Sequence, residues 1–222
     1  MDKIRIVLAD DDAIILQGLS MVLSGKDSFE VVGTAKDGSE AVAVCRRERP
    51  DVAVLDIRMP VMNGIEAAAA LLADDLAAPL LLTTFDEPEL IAKALEVGAR
   101  GYILKNSPPE RIFAAIETVA QGGTVFAPDV IDFIREMALA GASRHGGGAG
   151  AGADGDGGDV FADLTPRELE IAALVAEGLS NTQIAERLFL ADGTVRNHIS
   201  TILEKTGLEH RTQIAVKYFQ RG

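Results

Sequence analysis

Cysteine is almost missing from this chain. Cys45 is the only one in 222 residues, so no internal disulfide can form, and a reducing compartment suits the sequence. It falls in a helix-periodic stretch, Glu40 to Arg47, and reads as packed core. Long apolar runs are missing too, since none approaches the roughly 18 residues that span a bilayer. Met1-Asp2-Lys3 leads straight into a strand-like segment with no secretory apolar region. A soluble, cytoplasmic protein without a membrane partner is expected. No repeat of useful period occurs. Excess positive charge is absent as well: the net charge is −13, and its distribution is uneven. Residues 1–138 carry 13 basic against 23 acidic groups, residues 139–163 carry 1 against 4, and residues 164–222 carry 7 against 7. The last stretch is much less acidic than the rest, which points to a different kind of partner. What remains, 48% apolar and 25% charged residues, is a globular balance.

Residues 139–163 divide the chain. The run from Gly146 to Gly158 is entirely Gly, Ala and Asp, and cannot bury enough apolar surface to offset its ordering entropy. It reads as a flexible linker; about 20 such residues span roughly 25 Å. The expected organisation is a first domain over 1–122, a helix (Pro128 to Leu139) and linker over 123–163, and a second domain over 164–222.

The first domain alternates. Strand-like runs at Ile4–Ala9, Glu30–Ala35, Val52–Leu55, Leu80–Thr83 and Gly101–Leu104 interleave with helical periodicity near 13–24, 39–48, 64–74, 87–97 and 109–121. Strict alternation with continuous Val/Ile/Leu runs predicts a buried parallel sheet with helices on both faces, an α/β fold. Gly98 is a natural C-cap and Pro108-Pro109 a natural helix start.

The most informative segment is Asp51-Val52-Ala53-Val54-Leu55-Asp56-Ile57-Arg58-Met59-Pro60-Val61-Met62-Asn63-Gly64, an apolar run closed by a carboxylate and an immediate turn. Such strand ends are where open α/β sheets build sites. Asp10 and Asp11 close the first run, and Thr83 and Lys105 close two others. Three carboxylates brought together need raised pKa values or a cation. Asp11 and Asp56 can ligate Mg²⁺, and Asp10 can hold one of its waters. Asp56 can accept a phosphoryl group as an acyl phosphate. Lys105 can neutralise the phosphoryl oxygens, and Thr83 can hydrogen-bond one. Taken singly, each has an ordinary reading: a surface lysine, a strand threonine, acids at a helix start. The coincidence at four strand ends favours chemistry.

On these motifs, with Thr83-Thr84 and Gly98-Ala99-Arg100-Gly101-Tyr102-Ile103-Leu104-Lys105, residues 3–122 resemble the receiver domain of bacterial two-component response regulators. The resemblance implies a flavodoxin-like (βα)5 fold and a sensor histidine kinase that passes a phosphoryl group to Asp56. It implies Mg²⁺ held by Asp11, Asp56 and the Arg58 carbonyl. It also implies that Thr83 (with Thr84) moves toward the phosphoryl group and that Tyr102 turns inward. Two departures stand out: Asn106 replaces a common Pro after the lysine, and Asp12 adds a third acid that reads best as a helix start.

The second domain reads as four short helices without strands. Thr165, Pro166 and Glu168 form a capping box at the first. Asn181–Leu188 and Asp192–Thr206 form a helix-turn-helix candidate, followed by Arg211–Gln220. Val195, Ile199, Ile202 and Leu203 recur at helical spacing, leaving Arg196, Asn197, Ser200 and Thr201 outward. Arg suits guanine and Asn suits adenine by bidentate geometry. Thr182, Thr194, Lys205 and Arg211 read as phosphate contacts; His198, a further DNA-binding candidate, reads as packed or capping more than base-reading. With Leu164-Thr165-Pro166-Arg167-Glu168 and Thr194-Val195-Arg196-Asn197-His198-Ile199-Ser200, this half resembles the LuxR/NarL-type helix-turn-helix. The resemblance implies an inverted-repeat promoter site on double-stranded DNA and a homodimer formed through the last helix on activation. RNA polymerase is a further candidate partner. Ala191 stands where the family usually has a capping Ser, so Asp192 is expected to cap instead.

The combined reading is a NarL/FixJ-type transcriptional regulator switched by phosphorylation. The long linker keeps open a regulator that ignores phosphorylation. An aspartyl-phosphate hydrolase is a third reading, weakened because the nucleophile falls on the third strand rather than the first.

Overall fold

The computed structural model describes residues 3–83, 88–126 and 159–221. Thr84, the expected helix Pro128 to Leu139 and most of the Gly-rich stretch lie outside the described residues. The chain forms two units, Met1–Ala127 and Pro128–Gly222.

The first unit runs β1 (Ile4–Ala9), α1 (Ala13–Ser24), β2 (Phe29–Ala35), α2 (Gly38–Glu48), β3 (Val52–Asp56), α3 (Gly64–Ala73), β4 (Ala78–Thr83), α4 (Pro88–Glu96), β5 (Gly101–Leu104), α5 (Pro109–Ala120) and β6 (Val125–Phe126). The strands pair in parallel in the order β2-β1-β3-β4-β5-β6. The order reverses direction around β1 and β3, which places the switch point between their carboxyl ends. β6 is an addition to the five strands read from sequence.

Alternation sorts the strand side chains to two faces. Ile6, Leu8, Val52, Val54, Leu80, Leu82 and Ile103 pack with Leu23, Ile112, Phe113, Ile116 and Val119 of α1 and α5. Val7, Ala53, Leu55 and Leu81, also buried, face the opposite layer, where α2 and α3 pack on the sheet. Cys45 is buried in α2, and burial pushes its thiol up to about 12. Helix starts carry their own signals. Asp12 caps α1 by accepting from Ile14 N at 2.8 Å. Asn63 and Glu66 close a capping box on α3. Pro109 sits at the first turn of α5.

Gly64 fixes the path beyond β3. A Cβ there would lie 2.1 Å from the Asp56 carbonyl oxygen, so only glycine lets α3 start directly behind the end of β3. Val61, in the same turn, has φ +66°, an uncommon place for a β-branched residue.

The second unit holds α6 (Pro166–Ala176), α7 (Asn181–Leu188), α8 (Asp192–Thr206) and α9 (Arg211–Gln220). Ile171, Val175, Ile184, Val195, Ile199, Ile202 and Ile214 form its core together with Phe161, which precedes the expected start at 164. The α6 capping box is as read from sequence.

Candidate functional site

The carboxyl ends of β1, β3, β4 and β5 bring the expected groups together. Asp10 and Asp56 are buried, Asp11 is exposed, and carboxylate oxygens of all three lie within 4.8 Å of one another. Lys105 follows β5, and its Nζ lies 2.6 Å from Asp10 Oδ2 and 2.9 Å from Asp56 Oδ1. Its backbone N–H donates to Thr83 O at 2.6 Å, so the lysine and the threonine are tied to neighbouring strand ends. Asp10 Oδ1 accepts from Asp12 N at 3.0 Å. The Lys105–Asn106 peptide is trans, as no cis peptide occurs among the described residues.

The electrostatics follow from this packing. Burial raises the Asp56 carboxyl above its ordinary value; Lys105 pulls it down, and Asp10 and Asp11 push it up again, for a net rise. Burial alone would lower Lys105, but its hydrogen bonds to Asp10 and Asp56 outweigh that and leave its ammonium raised. Three carboxylates against one ammonium leave an excess of negative charge. A hard divalent cation with carboxylate oxygens fits that excess, and exposed Asp11 leaves it room to keep waters.

Thr83 and Tyr102 are buried, at 3% and 1% exposure, so Tyr102 already points inward. Arg58 is exposed in the β3–α3 turn. It also borders a cavity of about 660 Å³ with Ile57, Met59, Asn63, Ile65, Glu66, Leu90 and Lys93.

In the second unit α7 and α8 form the helix-turn-helix. Thr194, Arg196, Asn197 and Ser200 are exposed on α8, with His198 and Thr201 half-buried. Three expectations need correction. Arg211 is 5% exposed; its guanidinium donates to Asn181 Oδ1 at 2.6 Å and to the Leu179 carbonyl. It locks α9 onto the start of α7 instead of reaching phosphate. Lys205 Nζ sits 3.0 and 2.8 Å from the two carboxylate oxygens of buried Glu168, clasping α8 to α6. That contact, then the Thr165 backbone N–H, holds the Glu168 carboxyl at about 2. Asp192 does not cap α8: Ala191 is the N-cap, without a side-chain bond. Sequence reasoning missed Glu168 and Asn181 as partners because they lie 37 and 30 residues from the groups they hold, with no local signal.

The comparisons agree with this geometry. The model for the response regulator receiver domain matches residues 6–117, and that for bacterial regulatory proteins of the luxR family matches residues 162–218. Transcriptional regulatory protein LnrK of Bacillus subtilis (strain 168) is 37% identical over 226 residues, covering 99% of this chain and 98% of that protein. The crystal structure of response regulator ChrA from a heme-sensing two-component system is 32% identical, with a TM-score of 0.54, and spans 100% of this chain and 98% of that one. The receiver domain of NarL from Mycobacterium tuberculosis is 39% identical, with a TM-score of 0.54, over 55% of this chain and 99% of that one. Among the described residues no helix is long and apolar enough to cross a membrane. The chain therefore belongs to the LuxR-type response regulators, transcriptional regulators of two-component systems that join a receiver to a helix-turn-helix DNA-binding domain.

Proposed function

We propose that Asp56 accepts a phosphoryl group from a sensor histidine kinase and that this switches DNA binding by α8. The observation that carries the reading is the Lys105 ammonium lying between Asp10 and Asp56, at 2.6 and 2.9 Å. An Asp56 oxygen attacks phosphorus, the bond from phosphorus to the kinase's histidine nitrogen breaks, and the imidazole leaves. Asp10, Asp11, Asp56 and the Arg58 carbonyl would hold Mg²⁺, which offsets charge on the phosphoryl oxygens. Lys105 stays as a second positive partner for the new group. Thr83 and Thr84 donate to phosphoryl oxygens, and buried Tyr102 keeps the β4–β5 face in the matching arrangement.

The output half follows. Arg196, Asn197 and Ser200 meet base edges in a major groove, with Thr194 nearer the backbone; the Thr182 hydroxyl is already donated to Asp192 at 3.2 Å. With no net charge over residues 164–222, one copy gains little from phosphate attraction alone. Two copies joined through α9 on an inverted repeat add their contacts. Binding at promoters places RNA polymerase within reach, and a DNA-bound regulator works in the bacterial cytoplasm. The division proposed is a receiver over 1–122, a connector over 123–163 and a DNA-binding domain over 164–222.

Labelling by a small phosphodonor such as acetyl phosphate, read by phosphate-affinity electrophoresis, tests the acceptor. Wild type shifts in Mg²⁺ and not in chelator, and Asp56→Asn does not shift. A shift that survives Asp56→Asn overturns the assignment.

A further inference from the structure

Asp192 stands at the first turn of α8 and does not serve as its cap. Its carboxylate is used crosswise instead. One oxygen accepts the Thr182 hydroxyl from α7 at 3.2 Å. The other receives Arg196 Nη2 at 3.2 Å. The side chains of Arg196 and Asp192 remain 72% and 40% exposed. Between Asp192 and Thr194 lies Gly193, where a Cβ would meet nothing within 4 Å, so the approach to this end of α8 is open.

An acid four residues before an arginine is also an ordinary helix-stabilising pair. Here, though, the carboxylate is fixed from a second helix, so it is an anchored support and not a free partner. An unsupported arginine must lose most of its rotamer freedom to present its fork to a base. One guanidinium nitrogen held by Asp192 leaves the other donors available in a set plane. The same carboxylate repels phosphate, which lowers affinity for unrelated DNA and raises the ratio that defines specificity.

We propose that Asp192 is a positioning residue for sequence reading: anchored by Thr182, it aims Arg196 at a guanine edge and penalises placement on phosphate. This rests on the reading of α8 as the recognition helix.

The test uses the full-length chain with Mg²⁺ and beryllium fluoride and a randomised double-stranded DNA library. The site selected by wild type is then compared with versions changed at each base pair. Arg196→Ala should erase the preference at one base pair per half-site. Asp192→Asn should lower that same preference roughly tenfold, without weakening binding to unrelated duplex and with only a slight fall in melting temperature. Thr182→Val should give a smaller loss at the same base pair. If Asp192→Asn retains the wild-type preference while Arg196→Ala loses it, the positioning role is wrong and the recognition helix stands. If Arg196→Ala also retains it, or wild type selects no sequence, the reading of α8 fails and the proposal with it.

Discussion

Replacing Lys105 with Met removes the ammonium from a cluster of three carboxylates and keeps much of its bulk. With oxygens within 4.8 Å of one another, each unscreened pair of carboxylates repels by about 3 kcal/mol at an effective dielectric constant near 20. The full repulsion is not realised, because Asp56, already raised by burial, can take up a proton. Removing one partner of a buried pair costs about 3–5 kcal/mol, and the lower end applies here because Asp11 is exposed. For a domain of this size about 3 kcal/mol corresponds to a melting temperature roughly 10 °C lower. The chain has no Trp, so the assay is far-ultraviolet circular dichroism with scanning calorimetry, in chelator and in Mg²⁺. The receiver transition of Lys105→Met should fall by that amount in chelator at neutral pH. It should recover in part when Mg²⁺ replaces the missing charge, and in part when the pH is lowered enough to protonate Asp56. Unchanged stability in chelator, or a loss that Mg²⁺ does not reduce, would refute the idea that Lys105 balances this cluster.

Glu168 gives a pH dependence of defined sign. Its folded-state value near 2 lies below its ordinary 4.5, so the stability it contributes is present above about 4.5 and is lost as pH falls toward 2. Melting of the helix-turn-helix domain should therefore drop across that window in wild type and drop less in Glu168→Gln; equal pH profiles would contradict the clasp. Val61→Gly should stabilise the receiver by about 0.5–1 kcal/mol, since relief of a left-handed β-branched residue exceeds the entropy cost of glycine. A destabilised Val61→Gly in denaturant titration would argue against strain at φ +66°.

Much of this was legible in the sequence because the signals were local or topological. Caps and glycines mark the helix ends: Asp12, Thr165 and Gly98 sit where their side chains or positive φ are needed. Parallel topology brings strand ends together, so Asp10, Asp56 and Lys105 converge although they are far apart in sequence. Tertiary partnerships were not legible. Charge and position made Lys205 and Arg211 look like phosphate contacts, but long cationic side chains fold back when a buried acid or carbonyl is in reach, as Glu168, Asn181 and Leu179 are. Asp192 looked like a cap because caps are judged from adjacent residues, whereas its carboxylate turns to Thr182, ten positions back on α7. The two residues of β6 are too few to show a strand pattern; they are held by pairing with Gly101 and Tyr102.

On the proposed function, phosphorylation at Asp56 governs DNA binding. The most direct measurement is selection of bound fragments from the source genome by the full-length protein in Mg²⁺, with and without beryllium fluoride. An inverted repeat should be enriched only with the phosphoryl mimic, and not at all with Asp56→Asn under either condition. Equal enrichment with and without the mimic would contradict this reading and leave a DNA-binding protein that its receiver does not control.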